Sequence, residues 1–572
     1  MNKLLQRPRR AARFLLPLAL VAACSTGDSS KSNQDSASGD VGAAWSPANL
    51  TAVNGVPIAE LRSAVAARLD GKRPDAVGED AWEHTKRLYK RFGQTPLWLV
   101  DDGLAKDRAG ALTNTALHAS EDGLRIDDYP IADLANALTA LRRNPKPTAE
   151  QYAEADVLLT ATYAALGEDY LTGQIDPKAV SQSWHIDPRD ENVDSALVRT
   201  LTKLPLDSSI AAMRPQDPEY AALQKELAHY REIVTRGGFA KVPDGKPLKR
   251  GDRDSAPRLA ALRTRLGAEG ISVPADSGAA TSYDAGLAAG VAQFQARHGI
   301  VVDSMLGAET VNSMNVPAAY RLGQIAANLE RDRWLPRSLG TRYILVNVPA
   351  FQLTAYDSGR KALEMKVIVG EEYEDKATPV FADSMETVVF RPYWNITPDI
   401  QAKETEPKIA ADPGYMARNN LEYFKDGGAT RIRQKPGPEN SLGLVKFLFP
   451  NDFNIYLHDT PQKELFDKDV RAFSHGCIRV EKPLELASWV LGWDQSKVQQ
   501  YEQGQDNNSV KVPHKIPVYI EYGTAYVKDG QLYFGNDLYH RDDDLVKAIA
   551  DGALPSPRAV QALEALKRIA TG

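Results

Sequence analysis

Apolar positions recur with helical spacing over the first half of the chain and with strand spacing over much of the second. From about residue 50 to 240, Ala and Leu return every three or four positions between breaks at Gly and Pro, which predicts a group of helices. Val157, Leu158, Leu159, Tyr163, Leu166, Tyr170 and Leu171 predict one clear amphipathic helix within it. Between about 254 and 318, Leu259, Leu262 and Leu266 share a helix face, and a second helix runs from Tyr283 to Gln295. A turn at His298-Gly299-Ile300 leads to Asp303 and Gly307, and a third helix begins near Thr310. From Thr341 the period changes from 3.6 to 2. Runs at 343–348, 351–355, 366–369, 388–390, 454–457 and 518–520 predict strands, interrupted by a helical, Pro/Gly-rich insertion at about 397–440. After Tyr522, Asp529-Gly530 predicts a short hairpin, followed by polar helices to which the sequence assigns no role.

A chain of 572 residues exceeds what one hydrophobic core can serve, so several domains are expected. With 43% hydrophobic and 25% charged residues the composition is that of ordinary globular domains. The net charge of −6, and the lack of a Lys/Arg stripe interleaved with aromatics, exclude a dedicated nucleic-acid binder. The start of the chain departs from this average. Lys3, Arg7, Arg9, Arg10 and Arg13 precede an apolar run at 14–23, too short to span a bilayer as a mature helix. The run ends Val21-Ala22-Ala23-Cys24, which resembles a bacterial lipoprotein signal. That resemblance implies export, lipidation of Cys24 and anchoring in a membrane through the acyl chains, at about 0.8 kcal/mol per buried methylene. Ser25 rather than Asp follows the cysteine, so the expected location is the outer membrane of a Gram-negative bacterium, facing the periplasm. Arg9-Arg10 also suggests twin-arginine export, but the rest of that pattern is missing. Residues 25–48, rich in Ser, Asp, Gly and Asn, are expected to be a disordered tether.

The chain has two cysteines. If Cys24 carries lipid, Cys477 has no partner for a disulfide, and a lone thiol in an oxidising compartment is a candidate reactive group. A thiol with a pKa near 8.5 is only about a few per cent ionised at neutral pH and needs a base or a cation beside it. Two histidines are near in sequence. His475 would project to the same side as Cys477 if the segment is extended, and His458 ends a predicted strand that the fold can bring alongside. Gly476 permits a tight turn in which the amides of Gly476 and Cys477 could face one oxygen, an arrangement worth roughly 10²–10³ in rate per donor.

The stretch from Tyr456-Leu457-His458-Asp459-Thr460 to Ser474-His475-Gly476-Cys477-Ile478-Arg479-Val480 resembles the L,D-transpeptidase (YkuD) family, whose signature is a histidine, an interval, then Ser/Thr-His-Gly-Cys. Thr378-Pro379-Val380-Phe381, Pro392-Tyr393-Trp394-Asn395 and the segment from Arg433 through Lys446-Phe447 resemble its large multidomain periplasmic subgroup. Phe294-Gln295-Ala296-Arg297-His298-Gly299 resembles a peptidoglycan-binding-1 module. Two positions depart from these patterns: Arg391 stands where the subgroup has asparagine, and Ser304 where the module usually has glycine.

The resemblance implies a multidomain protein. A signal peptide occupies 1–24, a helical scaffold 49–250 and a three-helix module 254–318. An all-β YkuD-type catalytic domain occupies 341–523, with an inserted helical lid, and a C-terminal extension occupies 524–572. It implies that Cys477 attacks the carbonyl between diamino acid and D-alanine in a tetrapeptide stem, with His458 as general base. His475 supports the thiolate or the oxyanion site, Gly476 supplies a backbone donor and Ser474 holds the motif's backbone. Arg479, Tyr393 and Trp394 are the expected substrate-binding residues, and Asp459 is a weaker candidate for orienting His458. Peptidoglycan stems are then the partners, as donor and acceptor, with a 3→3 cross-link as product and sensitivity to carbapenems. No metal or other cofactor is implied, since the nine histidines are scattered and no helix carries a His pair at ligand spacing. A papain-like peptidase would place cysteine before histidine. A wall-binding lipoprotein without catalysis is the alternative of another class. Within the enzyme reading the acceptor stays open between a second stem, an outer-membrane protein's amine, a D-amino acid and water, as do the oligomeric state and any partner synthase.

Overall fold

The computed structural model describes residue 47 and residues 49–570, apart from 187–191, 274–279, 374–375 and 554–555. The predicted signal peptide, Cys24 and nearly all of the predicted tether lie outside the described residues, as do Asp187 and Pro188. Among the described residues no helix is long and apolar enough to cross a membrane.

The helical first part is organised around α1 (Ala149–Thr172). Thr148 and Gln151 close a capping box at its start, each side chain bonding the other's backbone N–H, and Gly173 ends it. The sequence predicts an amphipathic helix here, but α1 is buried on nearly every side because the helices Ile58–Asp70, Glu79–Arg91, Ile131–Arg143 and Val193–Leu201 surround it. Its polar residues survive burial by bonding. The Asp156 carboxylate accepts from Leu97 N, Trp98 N and the Tyr89 hydroxyl, which fixes the loop before the short strand Leu99–Val100.

Helix α2 (Pro218–Thr235) leaves this bundle and packs with the catalytic region. Helices α3 (Ala256–Ala268), α4 (Ala285–Arg297) and α5 (Ala308–Met314) then form a small unit with its own core of Leu259, Leu262, Leu266, Leu287, Val291, Phe294 and Met314. The polar residues of its Phe294–Gly299 segment point inward. Arg297 donates to Glu269 O and to Leu532 O, 2.9 Å each, and His298 is stacked on Phe294 above the buried Glu269. Ser304 adopts φ +62, a left-handed conformation that glycine takes without strain, which accounts for the family's usual residue at this position.

Helix α6 (Ala318–Trp334) is the strut between the regions. It packs on α2, α1 and the helix at Asp543–Ala553, and Trp184 meets Trp334 edge-to-face at 4.9 Å. Trp184 and Val380 also form a parallel bridge, and His185 N donates to Val380 O, so packing accounts for the Trp184-His185 pair.

Nine strands follow: β1 (Arg342–Asn347), β2 (Gln352–Asp357), β3 (Arg360–Gly370), β4 (Phe381–Phe390), β5 (Val445–Leu448), β6 (Leu457–His458), β7 (Ala472–Ser474), β8 (Ile478–Val480) and β9 (Asn508–Glu521). Their order is β7-β3-β8-β6-β5-β4-β9-β1-β2, and an additional β2–β3 pairing closes the sheet on itself. Pairs β6–β8, β9–β1 and β7–β3 are parallel. The domain is mostly β rather than all-β as predicted, because α7 (Pro483–Leu491) and α8 (Gln495–Glu502) cover the sheet with Leu486, Val490 and Val498. Between β4 and β5 the insertion forms a strand at Trp394–Asn395, helical turns from 398 to 418 and a hairpin of Leu421–Asp426 with Ala429–Gln434.

The hairpin predicted at Asp529-Gly530 is present as β10 (Ala525–Lys528) and β11 (Gln531–Phe534). Both turn residues have positive φ, as a two-residue hairpin of this kind requires. The helices after it are structural. Helix α9 (Asp543–Ala553) packs on α6, and α10 (Pro557–Ala570) returns to the first bundle, where Leu566 is buried among its helices. The scaffold core is thus assembled from both ends of the chain. Replacing Leu566 by Ala should cost about 2–5 kcal/mol of stability in that core, and Ser304→Gly should stabilise its unit by about 1 kcal/mol. Denaturant titration followed by circular dichroism checks both, and an unchanged midpoint for Leu566→Ala would remove α10 from the core.

Candidate active site

Strand alternation builds the site. In β5, β6 and β8 the residues Val445, Phe447, Leu457, Ile478 and Val480 point into the core, which puts Lys446, His458 and Arg479 on the other face. The register places these three side by side: Lys446 opposite His458, and His458 beside Arg479. Cys477 stands just ahead of β8, where Ile478 N donates to Tyr456 O, so sulfur and imidazole come from adjacent strands about 4.8 Å apart.

Cys477 is partly buried, and its Sγ lies 3.6 Å from Asn454 O. Burial pushes its thiol above the ordinary value, against the opposing effects of Tyr456, Lys446 and Arg479, which favour the anion. His458 is buried, and Nδ1 donates to Asp459 O at 2.5 Å. Leu442 O is a second main-chain acceptor for the ring. Burial, reinforced by the charges of Arg479 and Lys446, lowers its pKa to about 3. At rest the thiol and the imidazole, which share this face of the sheet, are both neutral.

The nucleophile loop is braced from below. Ser474 Oγ accepts from Gly476 N at 3.1 Å and donates to Cys477 O at 2.5 Å. Gly476 has φ +109, a conformation strained for other residues. Thr378 Oγ1 donates to Gly476 O and accepts from Gly370 N, and the Tyr539 hydroxyl donates to Gly370 O. The assignment of Gly476 as a backbone donor to an oxyanion is corrected here: its N–H is already given to Ser474. Among the described residues no acceptor is assigned to the Cys477 N–H, which leaves it as the main-chain donor beside the sulfur.

Three other expected residues are placed differently. The Asp459 carboxylate accepts from Leu444 N, Thr460 N and Lys463 Nζ, and only its main-chain oxygen meets His458, so it does not orient the imidazole as an acid. It also explains Gly443, at φ +60, where any Cβ would run into that carboxylate. Tyr393 lies under the Arg433 guanidinium, 4.0 Å from its ring, and Trp394 pairs with Gln434, so both brace the insertion's hairpin. Arg391 takes φ +50, which explains why asparagine is the subgroup's residue there.

Arg479 donates to Gln462 Oε1 and Phe473 O. Among the described residues no carboxylate pairs with it. His475 turns outward, and its Nε2 meets Glu404 Oε1 of the insertion at 2.7 Å, each side chain 38% exposed. Lys446 was given no role in the sequence, where it reads as the polar step of an alternating strand. Its Nζ stands 3.7 Å from the centre of the Tyr456 ring, and only the register shows that it lies opposite His458. Among the described residues no group of three or more His, Cys, Asp or Glu side chains is gathered to hold a metal ion.

Alkylation of Cys477 by iodoacetamide, followed on its peptide by mass spectrometry, should quicken steadily through pH 9. No step is expected between pH 5 and 7, where an ordinary histidine titrates. A plateau from about pH 5 would mean a thiolate–imidazolium pair instead. Lys446→Met should slow the reaction about tenfold at pH 8, equivalent to one unit of thiol pKa, and Lys446→Arg should restore it.

Comparison with known proteins agrees with this geometry. Residues 341–520 match the family model of the L,D-transpeptidase catalytic domain (YkuD), and residues 83–227 match that of a scaffold domain. A curated protein of Haemophilus influenzae (strain Rd), provisionally named an L,D-transpeptidase, is 32% identical over 239 residues, 38% of this chain and 48% of the relative. The chain thus spans about half the length of that relative. Solved structures give much weaker likenesses. The Ldtfm–avibactam carbamoyl enzyme is 13% identical over 33% of this chain and 51% of its own, at a TM-score of 0.17. An L,D-transpeptidase of Xylanimonas cellulosilytica is 13% identical over 49% and 99%, at 0.15. No argument is drawn from scores this low. Residues 341–520 are thus similar to YkuD-type L,D-transpeptidase catalytic domains, and residues 83–227 of the same chain to a scaffold domain.

Proposed function

We propose that this protein is a peptidoglycan L,D-transpeptidase that forms 3→3 cross-links through a thioester on Cys477. The observation that supports the reading is the register that puts His458 between Lys446 and Arg479 on the face that Cys477 shares, with His458 neutral. His458 takes the thiol proton as Sγ attacks the carbonyl between the diamino acid and the terminal D-alanine. The Tyr456 hydroxyl, which bonds the thiol, and the Cys477 N–H serve as donors to the developing oxyanion. D-Alanine leaves with the proton held by His458, and a diamino-acid amine of a second stem then replaces the sulfur. Arg479 and Lys446, both cations without a carboxylate partner among the described residues, suit the donor stem's carboxylates.

The insertion at 397–440 serves as a lid that limits water at the thioester. Residues 3–24 support export and lipidation at Cys24, with the enzyme held at the periplasmic face of the outer membrane. The helical unit of α3 to α5 is proposed to bind peptidoglycan.

Incubation of the purified protein with disaccharide-tetrapeptide should yield a dimer joined diamino acid to diamino acid, read by mass spectrometry, and Cys477→Ala should yield none. His458→Gln should lower the rate about 10²–10⁴-fold. D-Alanine release without dimer would make the enzyme a carboxypeptidase or one awaiting a protein acceptor, and no reaction at all would favour a wall-binding lipoprotein. A carbapenem should leave an acyl adduct on Cys477 in intact-protein spectra.

A further inference from the structure

The two histidines beside Cys477 are held in different ways. His458 is buried, tied to a main-chain oxygen and flanked by the cations of Lys446 and Arg479. His475 is exposed and tied to a carboxylate, Glu404 Oε1, at 2.7 Å. Glu404 belongs to the insertion, in a short π-helical turn at Gln401–Thr405, a distortion found frequently at functional sites. A carboxylate on Nε2 fixes the tautomer with hydrogen on that nitrogen and leaves Nδ1 as the acceptor. The carboxylate–histidine pair expected at Asp459 and His458 is therefore built at Glu404 and His475.

The charged groups beside the two histidines differ accordingly. On the His458 side stand two cations, which favour carboxylates and repel an ammonium. On the His475 side stands Glu404, whose carboxyl is raised by burial but lowered further by the hydrogen bond to His475 and by Lys408 and Lys376. Of those two cations, Lys376 is paired with Glu371 at 3.0 Å, and Lys408 stands 3.9 Å from Glu404. A primary amine arriving as an acceptor is an ammonium near pH 7, since its ordinary pKa is about 10.4. It must lose a proton before it can attack.

We propose that Glu404 and His475 form the acceptor site of this enzyme, a pair that binds a primary ammonium and removes its proton. The inference rests on the transpeptidase reading given above. Glu404 holds the ammonium, and His475 Nδ1 takes one proton and later passes it to water. The freed nitrogen lone pair attacks the thioester carbonyl, so a C–N bond forms and the C–S bond breaks. The sulfur leaves with the electron pair and recovers a proton, drawn from the nitrogen through His458, to give the amide and the free thiol. Water carries no charge for Glu404 to hold, so the site favours aminolysis over hydrolysis. Because Glu404 is carried by the insertion, the acceptor site is complete only when the insertion lies against His475.

The test is a partition experiment with disaccharide-tetrapeptide, comparing the unaltered protein with Glu404→Gln and Glu404→Asp. D-Alanine release reports thioester formation, and the ratio of dimer to hydrolysed tripeptide reports acceptor use. Glu404→Gln should lower that ratio about tenfold near pH 7, the deficit shrinking as the pH is raised and free amine becomes abundant. Glu404→Asp should restore most of the ratio. A ratio unchanged in Glu404→Gln overturns the acceptor site and leaves the transpeptidase reading standing. A ratio that falls equally in both variants and at every pH overturns it too, since simple loss of lid contact would do that. No D-alanine release from the unaltered protein overturns both.

Discussion

The parallel pairing of β6 with β8 is the constraint on which the rest of the site depends. Each strand is only two or three residues long, so the pair could not stand alone. It is held because Leu457, Ile478 and Val480 are buried in the core that α7 and the rest of the sheet close over. The side-chain period of a strand is two, so a slip of one residue would turn Lys446, His458 and Arg479 into that core and expose its aliphatic residues. The apolar half of these strands thus fixes the position of the polar half. The same burial gives His458 its character, since an imidazole between two cations and away from water is held neutral around pH 7.

The loop that carries Cys477 is tied to the helical part of the molecule through an unbroken chain of bonds. Gly476 is held by Thr378, Thr378 N donates to the Tyr539 hydroxyl, and Tyr539 N donates to the Tyr522 hydroxyl. Asp537 and Asp542 continue the chain through Thr524 and Arg331 to α6, the strut that also packs on the scaffold. Buried bonds of this kind are costly to leave unmade, so the motif's geometry and the docking of the scaffold support each other. The C-terminal segment, polar in sequence and without an evident task, is what completes that chain.

What the sequence made legible was local. The strand runs, the change of period at Thr341, the hairpin at Asp529-Gly530 and the residues Cys477, His458 and Ser474 were all readable, because each is a matter of spacing or of one residue's chemistry. The departures at Ser304 and Arg391 were visible as well, and both fall at positive φ. What was not legible depends on long-range register. Lys446 reads as an ordinary polar step in an alternating strand until β5 sets it opposite His458. Gly476 reads as a donor until Ser474 takes its N–H, and Asp459 reads as a partner for His458 until Leu444, Thr460 and Lys463 draw its carboxylate away. The helix at 149–172 reads as amphipathic until four other helices surround it.

The contrast between the two sides of Cys477 also has an energetic side. Lys446, His458 and Arg479 are set by strands, and moving them would disrupt the core. The contact between His475 and Glu404 is different, because both side chains are more than a third exposed and an ion pair of that kind contributes about 0–1 kcal/mol. The insertion is therefore weakly held at Glu404, while its hairpin is anchored on Trp394–Asn395 through main-chain bonds and on Tyr393 through Arg433. In the proposed reaction a segment fixed at its hairpin and loosely latched at Glu404 would open for a bulky substrate at small cost and close again behind it. A stronger latch would hold it shut, and none would leave the proposed thioester open to water.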